Sequence, residues 1–217
     1  MLLQLALDNL GGVRTLVEVD DLVDIVEVGT PLIKRFGMSI VREVADMTAR
    51  PVLADTKTMD AGEDEAHLAF TNGARFMTVL AAAGDRTIEA ACAAAEAMDA
   101  WVVVDTLGCA DAAARVAARY PERVGYVTVH LGTDARHALA DDGAGAFSDL
   151  HALDTLPTRV GLVGGISPAT IAQVARARPQ LVVVGSGVTG AVDPRAAMLA
   201  IHQHIVRPGR DWPWEPR

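Results

Sequence analysis

Aromatic side chains are scarce in this sequence: they make up 4% of its 217 residues, whereas apolar residues in total reach 51%. A folded core must therefore be filled by Val, Leu, Ile and Ala. This composition is typical of parallel strands covered by Ala-rich helices. The chain is long enough for one large domain or two small ones, and for an α/β barrel a single domain of this size is usual.

Cysteine is nearly absent as well. Cys92 falls in an Ala-rich stretch and Cys109 follows an apolar run, so the two residues form neither a disulfide framework nor a zinc motif. The sequence has no apolar run of membrane-spanning length and no basic leader with a cleavage site. We therefore expect a soluble, cytoplasmic protein without a membrane partner.

Positive charge is in deficit, because 19 Lys and Arg residues stand against 28 Asp and Glu residues, for a formal net charge of −9. Nucleic-acid surfaces depend on clusters of Lys and Arg, and this chain has none, so we expect no nucleic-acid partner. Small phosphate ligands are still compatible with this charge, since backbone N–H groups and helix ends can hold them.

Eight short apolar runs follow one another along the chain, with stretches of helical periodicity between them. Eight β-then-α units predict a (β/α)₈ TIM barrel, a closed α/β fold in a single domain, and an open doubly wound sheet is the alternative. The predicted strands are 2–7, 23–28, 52–54, 76–80, 101–104, 124–129, 160–163 and 181–184. The predicted helices are 13–19, 31–47, 63–71, 87–98, 110–119, 168–177 and 194–205.

Local signals refine this prediction. Ser167-Pro168 and Asp193-Pro194 each offer an N-cap followed by proline in the first helical turn. Segment 133–154 is long and contains glycines, so we expect a loop with a broken helix. We predict that the barrel domain spans 1–206 and that 207–217, with three prolines and two tryptophans, is a non-helical tail.

Polar residues stand where the predicted strands end. In a (β/α)₈ barrel the carboxyl ends of the strands converge on one mouth, where active sites are found. Several carboxylates, a lysine and a histidine in one concavity must pair with one another or carry out chemistry. The residues at these ends are Asp8, Glu27, Asp55, Lys57, Asp105 and His130.

The third predicted strand runs directly into Asp55, Lys57 and Asp60. On extended backbone the side chains of Asp55 and Lys57 point to the same side, since they are two residues apart. A carboxylate and an ammonium at the end of a buried strand are costly to desolvate unless they are paired or used. A structural salt bridge and a catalytic pair are therefore both open interpretations.

Glu27 has apolar neighbours on both sides, so its carboxylate either meets a cation or has a raised pKa. Together with Asp55, Glu27 can supply two oxygen ligands to Mg²⁺, with water and substrate oxygens completing the octahedron. An ion pair between Glu27 and Lys57 is the alternative.

His130 follows the sixth strand and is suited either to proton transfer at the mouth or to a purely structural role. Two glycine-containing segments, Gly164-Gly165 and Gly185-Ser186-Gly187, end the seventh and eighth strands. The loops after these two strands often bind phosphate through backbone N–H groups, and tight turns are the alternative role for the glycines.

Four blocks of the sequence resemble the 3-hexulose-6-phosphate synthases, which are close to 3-keto-L-gulonate-6-phosphate decarboxylase within the orotidine-monophosphate decarboxylase superfamily. The similarity extends to about Ile205 and leaves out the tail. The blocks are Leu5-Ala6-Leu7-Asp8, Glu27-Val28-Gly29-Thr30-Pro31-Leu32-Ile33-Lys34, Ala54-Asp55-Thr56-Lys57-Thr58-Met59-Asp60-Ala61-Gly62 and Thr78-Val79-Leu80.

This resemblance implies a Mg²⁺-dependent carbon–carbon lyase, an aldolase that condenses formaldehyde with D-ribulose 5-phosphate to D-arabino-3-hexulose 6-phosphate through a Mg²⁺-stabilised enediolate. It implies Mg²⁺ on Glu27 and Asp55. It further implies that Lys57 stabilises negative charge, that His130 moves a proton and that Asp8 orients substrate hydroxyls. Finally, it implies a homodimer in which Asp60 reaches into the partner's site.

Two positions favour the synthase over the decarboxylase, because Thr133 and Gly185-Ser186-Gly187 stand where the decarboxylases typically carry arginines. Arg136 departs from both families, which usually have Gln there. This departure suggests a third possibility, a sugar-phosphate-binding barrel that has lost activity.

Overall fold

The computed structural model describes residues 1–109, 116, 119–120, 123–132 and 158–206. The predictions for segment 133–154 and for the tail 207–217 fall outside these residues. Most of the predicted helix 110–119 does so too, although Val116 and Arg119 are helical.

Eight parallel strands close into a barrel in chain order, which confirms the predicted (β/α)₈ fold. Leu5 is in register with Val26 on one side and with Val184 on the other, so the sheet has no open edge at the first strand. The strands are β1 (Leu2–Leu7), β2 (Ile25–Val28), β3 (Val52–Thr58), β4 (Phe76–Leu80), β5 (Trp101–Asp105), β6 (Val124–His130), β7 (Val160–Val163) and β8 (Leu181–Val184).

Helices follow the strands on the outside of the barrel. Within the described ranges they are α1 (Leu10–Val19), α2 (Thr30–Phe36), α3 (Ser39–Ala45), α4 (Gly62–Thr71), α5 (Asp85–Ala97), α6 (Ile171–Arg176), α7 (Ser186–Thr189) and α8 (Pro194–His202), with a 3₁₀ turn at Asp20–Leu22. None of the helices in this part of the chain combines the length and the apolar character that crossing a membrane requires.

Two helix predictions were wrong in detail. The single helix predicted over 31–47 is split into α2 and α3, because Gly37 ends α2 with a φ of 76° and donates its N–H to the Ile33 carbonyl. Ser167 does not cap α6, because the helix begins only at Ile171 and the Ser167 hydroxyl lies 3.4 Å from the Thr170 hydroxyl instead of accepting a backbone N–H. Asp193, by contrast, caps α8 as predicted and accepts the N–H of Ala196.

The strands are buried on both faces, which explains their continuous apolar sequence. One face packs against the helices in the larger hydrophobic cluster, and the other fills the barrel interior with a smaller one. Phe76 and Tyr126 lie in the interior with their ring centroids 6.1 Å apart. The interior cluster consists of Leu2, Ala6, Ile25, Leu53, Phe76, Val103, Tyr126, Leu181 and Val183.

Candidate active site

A cavity of about 400 Å³ opens at the carboxyl ends of the strands. It brings together most of the residues that the sequence predicts for the site: Asp8, Glu27, Lys57, His130, Gly164, Gly165, Gly185, Ser186 and Gly187. Asp55 lies in the wall of a much smaller adjoining cavity, which Glu27, Lys57 and His130 also line. Asp60 is exposed and lines neither cavity.

Asp55 is buried, and both of its carboxylate oxygens accept hydrogen bonds. Oδ2 accepts from Lys57 Nζ at 2.5 Å and from Thr30 Oγ1 at 2.7 Å. Oδ1 accepts from Thr78 Oγ1 at 2.8 Å. The salt bridge between Asp55 and Lys57 therefore exists, and what distinguishes it from a purely structural pair is that the Lys57 side chain also lines the large cavity.

Lys57 does not lie on extended backbone, as the sequence argument assumed. It belongs to β3, not to a loop after it, and its φ is 48°, in the left-handed region that non-glycine residues rarely adopt. The two side chains meet nonetheless, because the strand is irregular between Ala54 and Thr58 and turns Lys57 back toward Asp55. The predicted contact between the Asp55 and Lys57 side chains is therefore present, but the irregular backbone causes it, not an extended one.

Two carboxylates keep Lys57 charged. Besides Asp55, its ammonium faces Asp105 Oδ2 at 3.5 Å. Burial alone would lower the pKa of Lys57, but the charges of Asp55 and Asp105 and the hydrogen bond to Asp55 outweigh burial and raise that pKa above its ordinary value. Among the described residues Lys57 pairs with these two carboxylates and not with Glu27, so the alternative ion pair was wrong.

A buried chain of two hydrogen bonds holds the Glu27 side chain. Tyr126 Oη donates to Gln4 Oε1 at 2.6 Å, and Gln4 Nε2 donates to Glu27 Oε2 at 2.5 Å. Burial, together with the nearby charge of Asp55, raises the pKa of Glu27 from 4.5 to about 8. The pKa of Glu27 is therefore raised when no cation is bound, and a cation beside this carboxylate stays a prediction.

Glu27 and Asp55 fit a divalent cation. Oε1 of Glu27 accepts no hydrogen bond from a described residue although the side chain is buried, and a cation would offset the repulsion between the two carboxylates. The described residues contain no cluster of three or more His, Cys, Asp and Glu ligands. Mg²⁺ suits so small a protein donor set, because it commonly keeps several waters and uses one or two carboxylates plus substrate oxygens.

His130 is oriented by Asp105, a strand-end residue to which the sequence analysis assigned no role. Nδ1 of His130 lies 2.9 Å from Asp105 Oδ2, and the imidazole lines the large cavity. Burial would raise the pKa of Asp105, but the hydrogen bond and charge of His130 and the charge of Lys57 outweigh it and lower that pKa. Asp105 therefore connects Lys57 and His130, through an ion pair to the first and a hydrogen bond to the second.

Packing requires glycine at two positions after β7 and β8, Gly164 and Gly187. Gly164 has a φ of 109°, and a Cβ there would lie 2.2 Å from the Leu131 carbonyl oxygen. A Cβ at Gly187 would lie 2.4 Å from the Ile166 carbonyl oxygen. The backbone conformation supports the tight-turn interpretation for Gly164 and Gly165, which both have a positive φ, whereas Gly187 lies in the helix α7. Phosphate binding is also compatible, because the N–H groups of Gly165, Ser186 and Gly187 have no acceptor among the described residues.

A closed barrel with charged, acid–base and hydrogen-bonding groups at the carboxyl ends of its strands has the form of a (β/α)₈ enzyme. The family model described as "Orotidine 5'-phosphate decarboxylase / HUMPS family" matches residues 1–201. The chain belongs to this family.

Individual relatives agree with the resemblance seen in the sequence. A 3-hexulose-6-phosphate synthase from Mycobacterium gastri is 39% identical over 203 residues, which cover 91% of this chain and 96% of that protein. A crystal structure of 3-hexulose-6-phosphate synthase has a TM-score of 0.84 at 36% identity and covers 95% of this chain and 100% of that one. A crystal structure of KGPDC from Streptococcus mutans has a TM-score of 0.83 at 26% identity, with 94% and 96% covered.

Proposed function

We propose that this chain is an aldolase that condenses formaldehyde with D-ribulose 5-phosphate to D-arabino-3-hexulose 6-phosphate. One observation carries the proposal: ion pairs and a hydrogen bond join Asp55, Lys57, Asp105 and His130 into one network beside Glu27, and these residues line or adjoin one cavity. The 39% identity to a protein named 3-hexulose-6-phosphate synthase supplies the substrate class.

Lys57 stabilises negative charge on the sugar. Removing a proton next to the ketone of ribulose 5-phosphate gives an enediolate, whose oxygens need a fixed positive charge in a site shielded from water. The raised pKa of Lys57 keeps its ammonium protonated for this task. Asp55 and Asp105 hold Lys57 in place, so little reorganisation accompanies the reaction.

His130 moves the proton. When Nδ1 of His130 carries the ring proton, it donates a hydrogen bond to Asp105, and the other ring nitrogen, Nε2, is the basic one. In this tautomer His130 can take a proton from C1 of the sugar as general base. After C1 has bonded to the formaldehyde carbon, His130 can give that proton, as general acid, to the alkoxide oxygen that results.

Glu27 and Asp55 are the residues that would hold Mg²⁺. When bound, the ion supplies further positive charge to the substrate oxygens. Asp8 lies in the cavity wall beside Gly185 and is placed to orient substrate hydroxyls. The N–H groups of Gly165, Ser186 and Gly187 are the proposed phosphate donors.

Asp60 acts in the site only if a second chain brings it there. It is exposed, its Oδ1 accepts the N–H of Ala61, and the exposed apolar side chains Met59 and Leu68 lie on the same segment and on the helix after it. We propose a homodimer that buries this surface and places Asp60 in the partner's cavity.

A substrate panel tests the proposed activity. Purified protein with Mg²⁺ should consume formaldehyde only when ribulose 5-phosphate is present, and a chelator should stop the reaction. Release of CO₂ from 3-keto-L-gulonate 6-phosphate with little aldol activity would instead identify a decarboxylase. Thermal stabilisation by sugar phosphate without any turnover would identify a binding protein. Thr133 and Arg136, which bear on this choice, lie outside the described residues.

A further inference from the structure

Thr78 of β4 lies opposite the irregular part of β3. Ala54 is in register with Met77, and Thr58 is in register with Val79. Three residues of β3, Asp55 to Lys57, therefore face the single residue Thr78. Such a bulge breaks the regular ladder of backbone hydrogen bonds, and the groups left over need other partners.

Thr78 supplies those partners. Its Oγ1 accepts the backbone N–H of Lys57 at 2.8 Å and donates to Asp55 Oδ1 at 2.8 Å. Its carbonyl accepts from Thr56 Oγ1 at 2.7 Å. The two bonds of the hydroxyl have a fixed direction, because an amide N–H can only donate and an ionised carboxylate can only accept. Among side chains of this size, only a hydroxyl does both well.

We propose that Thr78 is a positioning residue, whose hydroxyl holds the Lys57 backbone and the Asp55 carboxylate in the arrangement that presents the Lys57 ammonium to the cavity. A lysine with a φ of 48° persists only where its surroundings enforce that conformation. Thr78 is buried and is a partner to both ends of the Asp55–Lys57 pair, so it is placed to enforce this conformation.

The expected effect of Thr78 on turnover rests on the proposed function. Its expected effect on the Lys57 backbone does not depend on which reaction the protein catalyses. We would compare Thr78→Val, which has the same shape without the hydroxyl, with Thr78→Ser, which keeps it. Thr15→Val is the matched control, because Thr15 is a buried threonine of α1 that lines neither cavity and donates to the Gly11 carbonyl.

Two measurements are needed. NMR amide exchange reports the Lys57 N–H directly, and it should exchange at least about tenfold faster in Thr78→Val, because a lost acceptor removes its protection. Steady-state kinetics should show a fall in kcat of roughly 10- to 100-fold with a smaller change in KM, as for other groups that orient a functional residue. Thr78→Ser and Thr15→Val should stay within about threefold of the wild type in both measurements.

Unchanged protection of the Lys57 amide in Thr78→Val would overturn the inference, and so would a lower melting temperature with unchanged kcat. If Thr78→Val does not fold, Thr78→Cys replaces it, since a thiol is a weak donor and acceptor of similar size. A wild-type protein without aldol turnover would refute the proposed function, and amide exchange would still decide the role of Thr78.

Discussion

Replacing Glu27 with glutamine should stabilise the metal-free protein at high pH and remove most of the decline in its stability between pH 4.5 and 8. Burial and the charge of Asp55 raise the pKa of Glu27 from 4.5 to about 8. Below pH 4.5 the carboxyl is protonated in both the folded and unfolded chains. Between the two values the unfolded chain has released the proton while the folded protein retains it, so stability falls as pH rises. Above about 8 the full cost of the buried charge is present.

The size of this change in the free energy of unfolding follows from the difference between the two pKa values of Glu27. At about 1.4 kcal/mol for each pH unit, the step from 4.5 to about 8 corresponds to on the order of 5 kcal/mol. For a chain of this size that is a difference of roughly 10–20 °C in melting temperature. The amide introduced by Glu27→Gln carries no charge, and its oxygen can still accept the hydrogen bond of Gln4 Nε2.

Thermal melts of both proteins in chelator at pH 5, 7 and 9 measure this effect. The advantage of Glu27→Gln should be small at pH 5 and largest at pH 9, and saturating Mg²⁺ should reduce it, because the ion binds the ionised carboxylate of the wild type. Glu43→Gln on the exposed face of α3 is the control and should leave the pH dependence unchanged. A Glu27→Gln protein that follows the wild type at every pH would refute the reasoning, as would one that is less stable at pH 9.

Three further predictions concern the network and the assembly. Asp105→Asn should lower kcat at least about 100-fold and change its pH profile, because Nδ1 of His130 loses the carboxylate that fixes its tautomer; unchanged kcat would contradict the role given to Asp105. Tyr126→Phe should lower stability by about 1 kcal/mol and weaken Mn²⁺ binding, followed by electron paramagnetic resonance, by roughly tenfold, because Gln4 loses the donor that orients its amide toward Glu27. Mixing inactive Asp60→Asn and Lys57→Met chains should restore about a quarter of wild-type activity if sites are shared in a dimer, since a mixed dimer then has one intact site. No recovery after verified subunit exchange would contradict that assembly.

Strand positions and strand-end residues were predictable because both leave a local signal. A strand buried on both faces reads as an apolar run, and the first polar residue after it marks the mouth. Asp8 and His130 were found in this way, whereas Glu27 was recognised as a carboxylate inside an apolar run. Asp105 carries the same signal, but only its distance to His130 and Lys57 shows what it does.

The bulge in β3 could not be predicted in the same way. Its cause is the register between β3 and β4, which depends on residues distant in sequence, and the positive φ of Lys57 follows from it. Thr78 sits inside an ordinary apolar strand, and nothing in its neighbours distinguishes it from a packing residue. The break between α2 and α3, by contrast, has a signal in the sequence, because Gly37 is a residue that often ends a helix. The helical periodicity of 31–47 nevertheless led to the prediction of a single helix.

The central claim is that Lys57 and a divalent cation together stabilise a carbanion of the sugar phosphate. Exchange of the sugar's C1 hydrogen for deuterium in D₂O measures formation of this carbanion without the aldehyde. Ribulose 5-phosphate incubated with the protein and Mg²⁺ should gain deuterium at C1, detected by NMR. Exchange should be lost on chelation and in Lys57→Met. Formaldehyde consumption without any deuterium incorporation, or exchange that persists in folded Lys57→Met, would contradict the account.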